Sequence, residues 1–109
     1  MPEHAVVVHF AYGILRPDDQ TPDLQPLFKV EEALERAIAD AKAGEYDGNE
    51  VAVSGKDGYL YMYGPDADRL YDVVRPILEG VPFMKGAEVK KRYGPPNPGV
   101  REVVLKIAP

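Results

Sequence analysis

His9, Glu50, Tyr61 and Arg92 are the side chains best suited by type to move a proton, and the hydrophobic pattern around them directs all four to one side of a sheet. A histidine near a carboxylate, with a phenol and a guanidinium at hand, suits acid–base work on a small oxygenated substrate. Histidines in strands beside tyrosines are more often hydrogen-bonded structural groups. No catalytic residue is therefore assigned, and the four are candidates for facing a ligand or a partner. Other chemistries fit less well. The chain has no cysteine, so disulfides, thiolate metal sites and cysteine nucleophiles are excluded. His4 and His9 are too few, and too far from a third ligand, for a zinc site. Asp18, Asp19 and Asp23 lack the alternating spacing and turn glycine of a calcium loop. Neither G-x-x-x-x-G-K-[ST] nor G-x-G-x-x-G occurs. The expectation is a protein without metal or cofactor, and whether it is an enzyme is left open.

The charge balance narrows the partners. Thirteen basic against eighteen acidic residues give a net charge of −5, a field that repels phosphate backbones. The one basic cluster, Lys85, Lys90, Lys91, Arg92 and Arg101, lacks the signatures of an RNA-recognition sheet. Nucleic acid is not an expected partner. No apolar run approaches the ~20 residues of a membrane span. Met1-Pro2-Glu3-His4 shows no basic stretch leading into an apolar run, so no signal peptide is expected. The expected compartment is the cytoplasm, which the lack of cysteine suits.

These side chains must be positioned by something, and the elements are legible. Residues 5–12 are β-branched and almost continuously apolar, as expected of a central strand. Residues 13–26 interleave Pro17, Pro22 and Pro26 with aspartates and read as a long loop. Val30, Leu34, Ala37, Ile38 and Ala41 repeat at helical spacing over 29–43, with Glu32 and Arg36 placed to pair and Gly44 as the stop. Residues 50–54 read as a second strand, and Gly55-Lys56-Asp57-Gly58 as a tight turn into Tyr59-Leu60-Tyr61-Met62-Tyr63. The expected pairing sets Val53 against Leu60, Val51 against Met62, Ala52 against Tyr61 and Glu50 against Tyr63. A second helix follows Gly64-Pro65-Asp66-Ala67-Asp68 and carries Leu70, Val73, Val74, Ile77 and Leu78, with a kink or break expected at Pro76. Strands near 87–93 and 100–107 close the chain, with partners whose numbers sum to 194.

The order strand–helix–strand–strand–helix–strand predicts one α+β domain over 1–109, a ferredoxin-like βαββαβ antiparallel sheet with both helices on one face and an extra C-terminal strand. The first and third strands should be central. Leu60 and Met62 then face the core, and Tyr59, Tyr61 and Tyr63 form an aromatic row on the other side, beside Val7 and His9. That open face, with Glu50 and Arg92, is too apolar to be left to water. A second copy of the chain, or another protein, is the expected cover. The competing expectation is a small molecule held near His9 and Tyr61, between the open face and the 13–26 loop.

Two segments carry a resemblance. Tyr63-Gly64-Pro65-Asp66-Ala67-Asp68 and Arg92-Tyr93-Gly94-Pro95-Pro96, within residues 30–107, resemble a set of small uncharacterised bacterial proteins without an established activity. The resemblance implies no functional residue. Both segments also have local explanations, as a helix start and a hairpin turn.

Overall fold

The computed structural model describes residues 3–108; Met1 and Pro2, with which the reading of the N-terminal segment begins, lie outside them, as does Pro109. Five strands and two helices follow in the order β1 His4–Ala11, α1 Gln25–Ala41, β2 Glu45–Val51, β3 Asp57–Gly64, α2 Ala67–Glu79, β4 Glu88–Arg92 and β5 Glu102–Lys106. A 3-10 turn, Pro82–Met84, links α2 to β4. The sheet is open, with strand order β2-β3-β1-β4-β5 and every neighbouring pair antiparallel.

One face of the sheet makes the core. Val6, Val8 and Phe10 of β1 and Leu60 and Met62 of β3 are fully or almost fully buried. They belong to one cluster with Leu27, Leu34 and Ile38 of α1 and Leu70, Val74 and Leu78 of α2. Side chains alternate along a strand, so residues 59, 61 and 63 point away from both helices.

Both helices start where their chemistry favours it. α1 begins four residues earlier than periodicity predicts, because Pro26 sits in its first turn, where a missing N–H leaves no bond unmade. It ends on Lys42, at φ 51°, rather than on Gly44. Gly44 answers a different need: a Cβ there would lie 2.0 Å from the Tyr63 carbonyl oxygen, and one on Gly64 2.2 Å from that of Ala43. The chain leaving α1 crosses the end of β3 too closely for any side chain. At α2, the Asp66 carboxylate accepts from the Arg69 N–H as N-cap. α2 continues through Pro76 to Glu79 without the expected break. The proline and the Asp72 carbonyl it leaves without a donor are both on the exposed side, where water serves.

The β2–β3 hairpin departs from the sequence reading. The turn occupies 52–56, closed by Gly55 N–H to Ala52 O, and Val53 is 98% exposed. Val51 pairs with Gly58 and Glu50 with Tyr59. Gly58 lies inside the strand because Phe10 packs over it, 3.0 Å from where a Cβ would stand. Val51 thus pairs four residues before the expected Met62, and an even slip keeps Glu50 on the tyrosine side. A bulge between Tyr46 and Gly48 then reverses the alternation and turns Tyr46 towards α1. Its hydroxyl donates to Glu31 at 2.5 Å, and burial and that carboxylate together push the phenol far above its ordinary pKa. The β4–β5 register is the predicted one, Glu88 with Lys106 through Arg92 with Glu102. In the 13–26 loop, Leu15 and Pro22 form an isolated bridge and Tyr12 donates its hydroxyl to the Asp23 carbonyl, so the loop is tied to the core.

Candidate interaction face

The face opposite the helices is built in rows across the strands. One row is Glu50, Tyr59, His9, Glu88 and Lys106; the next is Gly48, Tyr61, Val7, Lys90 and Val104; the third is Glu45, Tyr63, Ala5, Arg92 and Glu102. The rings are packed along this surface. Tyr59 stacks on His9 with centroids 4.4 Å apart and planes 9° apart, and on Tyr61 at 6.1 Å. Tyr59 is 38% exposed and Val104 53%, while Tyr61, Tyr63 and Val7 are partly exposed and more covered by their neighbours than Tyr59. The β2 edge of this face carries Glu45 and Glu50, whereas the β4–β5 side mixes Lys90, Arg92 and Lys106 with Glu88 and Glu102.

The four side chains singled out for proton chemistry divide into separate groups. Tyr61 donates its hydroxyl to Glu50 at 2.6 Å, and this bond, more than burial, pushes the phenol up to about 12. A phenol held this firmly protonated is a poor base at neutral pH. His9 Nε2 lies 2.8 Å from Asp57 Oδ2, a carboxylate the sequence had assigned to a turn. Both side chains are about two-fifths exposed, 41% and 42%, so water screens the pair. Arg92 is in neither group. It stands level with Ala5, four residues or about 13 Å along β1 from His9, and its Nε donates to the Gly94 carbonyl at 2.7 Å. The expected quartet is therefore a Tyr61–Glu50 pair, a His9–Asp57 pair and a distant arginine.

Two separate hollows lie near the place expected for a pocket between this face and the 13–26 loop. One, of about 530 Å³, lies at the start of α1, between Ile14, Pro26, Val30 and the Val81–Phe83 stretch, and touches neither His9 nor Tyr61. The other, of about 260 Å³, opens beside His9 and Asp57 and is rimmed by Lys85, Glu88 and Lys106. Among the described residues no three of His, Cys, Asp or Glu are grouped to hold a metal. Asp19 and Asp23 instead accept from backbone N–H groups within their own loop.

The basic cluster is also split by alternation. Lys90 and Arg92 face outward with the tyrosines, whereas Lys91 points to the helix side and binds Asp68 at 2.8 Å. Tyr93 donates to the same Asp68 oxygen at 2.5 Å, so the 63–68 and 92–96 segments meet at one corner. Lys91 and Tyr93 together hold the Asp68 carboxyl below its usual range. His4 joins this corner: its Nδ1 accepts from the Ala67 N–H at 3.0 Å and its ring lies edge-on to Tyr93. Nothing in the one-dimensional pattern marks this network, since its members are 4 to 93 in the chain and meet only through the β1–β3 and β1–β4 pairings. No helix among the described residues is long and apolar enough to cross a membrane. No family model, curated protein or solved structure matches this chain.

Proposed function

We propose that the chain is a non-catalytic interaction or accessory module of the cytoplasm, ferredoxin-like in topology, that self-associates through its open sheet face. The observation that carries this reading is the tyrosine row: the core is complete on the helix side, yet three aromatic rings and Val7 stand on the other. Aromatic side chains are the preferred anchors of protein interfaces, because they bring large area at little entropic cost. The open-face histidine, phenol and carboxylates are absorbed in mutual hydrogen bonds, which suits a recognition surface better than a reaction centre. Light scattering tests the reading. The wild-type protein should be dimeric at micromolar concentration and Tyr61→Asp, which buries a charge at the centre of the face, monomeric; a monomeric wild type removes the proposal.

A second reading rests on the hollow beside His9 and Asp57, where Lys85 and Lys106 offer positive charge to a small anion. Thermal-shift screening against small carboxylates and phosphates tests it. A hit abolished by His9→Ala supports the binder; no hit from either set sinks it.

A further inference from the structure

We infer that β5 is a second contact between copies: the β5 strands of two chains pair edge to edge, antiparallel, with Val104 against the partner's Val104 at the two-fold axis. β5 closes one side of the sheet and β2 the other. An open edge is a row of unpaired N–H and C=O groups that invites another strand. The β2 edge is guarded by the bulge between Tyr46 and Gly48 and by Glu45, Asp47 and Glu50. β5 is regular and keeps one register with β4 from Glu102 to Lys106. On that side the Ile107 N–H donates to the Ala87 carbonyl, and the Arg101 carbonyl accepts from the Tyr93 N–H. Hydrogen-bonding direction alternates along an antiparallel strand. Residues 101, 103, 105 and 107 therefore face β4, and Glu102, Val104 and Lys106 turn their N–H and C=O groups outward.

Those three residues complement their own copy. With Val104 on the axis, Glu102 stands opposite the partner's Lys106, and Lys106 opposite the partner's Glu102. On the helix side Val103 meets the partner's Leu105, both of them partly exposed in the single chain. Opposite charges and aliphatic pairs directly across a strand pair are attractive. Within each chain Glu102 already faces Arg92, and Lys106 faces Glu88. Signs therefore alternate along the row that crosses the seam: Arg92, Glu102, the partner's Lys106, the partner's Glu88. A one-residue slip would set outward-facing groups against inward-facing ones. A two-residue slip either way sets Lys106 against the partner's Val100 or the partner's Val104, and leaves Glu102 without an opposite charge across the seam. An edge lysine ordinarily deters pairing; here each one has a glutamate opposite. The ladder adds about six main-chain hydrogen bonds but covers far less than the ~800 Å² per partner of a standard interface. It is a weak contact, formed at millimolar concentration. Its axis is perpendicular to the sheet, so both tyrosine rows stay on one side and remain free for the face contact. The seam goes beyond the self-association reading and does not depend on it.

The chain has no cysteine, so introduced thiols report position cleanly. Glu102, Val104 and Lys106 are all exposed, and their replacement leaves the core untouched. Val104→Cys, Glu102→Cys and Lys106→Cys are oxidised with copper–phenanthroline at millimolar concentration, each alone and the last two mixed. The series is repeated with Tyr61→Asp added, to remove the face contact. Across the seam the two Val104 Cα atoms stand ~5.5 Å apart, within disulfide reach. The two Glu102 residues are roughly 14 Å apart, and sheets packed face to face hold their backbones ~10 Å apart, both beyond that reach. The expected result is disulfide-linked dimers of Val104→Cys alone and of the mixture, in both backgrounds, with little linkage of Glu102→Cys or Lys106→Cys alone. No linkage of Val104→Cys, none in the mixture, or Glu102→Cys linking to itself as readily as Val104→Cys overturns the seam. Linkage that disappears with Tyr61→Asp belongs to the face contact and overturns the seam as well. Light scattering at micromolar concentration reads the face contact separately, so either surface can fail while the other stands.

Discussion

Replacing Tyr59 and Leu60 by alanine in turn separates the two faces of β3, because only one of these neighbours in sequence has surface left for a partner. Tyr59 is 38% exposed on the open face; of a side chain that buries on the order of 200 Å², about 80 Å² is thus left for a partner to cover. At ~25 cal/mol per Å² this is about 2 kcal/mol per ring. A two-fold interface contains the ring twice, and at ~1.4 kcal/mol per decade the dimer should weaken by about 10²- to 10³-fold. Within one chain the substitution also uncovers the remaining three-fifths of the ring, about 120 Å² or about 3 kcal/mol, and removes the stacking on His9 and Tyr61. Leu60 is fully buried among helix side chains. Leu60→Ala should cost about 2–5 kcal/mol of folding stability and leave the interface alone. Sedimentation of a dilution series measures the first quantity and urea unfolding at fixed protein concentration the second. If Tyr59→Ala shifted the dissociation constant by less than a few-fold, or if Leu60→Ala weakened the dimer as much as Tyr59→Ala does, the two-faced reading of this strand would be wrong.

Three further outcomes follow from individual contacts. Tyr61 should titrate near 12 by phenolate absorbance, and Glu50→Gln should bring it back towards the ordinary value. An unfolded tyrosine ionises near 10, so the folded protein keeps a proton the unfolded chain has lost. The bond's contribution is present below pH 10 and fades as pH rises towards 12; a phenol titrating normally in the wild type contradicts it. Asp66→Ala removes the acceptor for the Arg69 N–H and should cost about 1 kcal/mol in urea unfolding, with no change meaning that the cap is not formed in solution. Gly64→Ala forces a methyl to within 2.2 Å of the Ala43 carbonyl oxygen and should cost about 1–3 kcal/mol or more, whereas a wild-type unfolding midpoint would show that the α1–β2 connection yields easily.

Much of this architecture was legible because strong local patterns agreed with one another. The alternation at 59–63 gave the two faces of β3, and the charge pairs between 88–92 and 102–106 gave their register residue for residue. The hairpin before them was less legible. Glycines at 55 and 58 read equally well as a turn, and only Phe10, far away in sequence, explains why Gly58 belongs inside the strand. Nor does a string of residues announce the bulge that turns Tyr46 inward, or a proline tolerated at 76 because its helix face is wet. The candidate site was legible to the same degree. Membership of the face followed from parity alone, but hydrogen-bond partners did not: His9 found Asp57 and Arg92 found a loop carbonyl, both set by position along the strands. The Asp68–Lys91–Tyr93 corner needed three-dimensional closure to exist at all.

Sedimentation equilibrium of the unmodified protein bears on the central claim most directly. Across a micromolar concentration series the account predicts twice the mass of one chain, falling to a single chain on dilution. A single-chain mass at every concentration would mean that the tyrosine face stays wet, and the proposed function would not survive it.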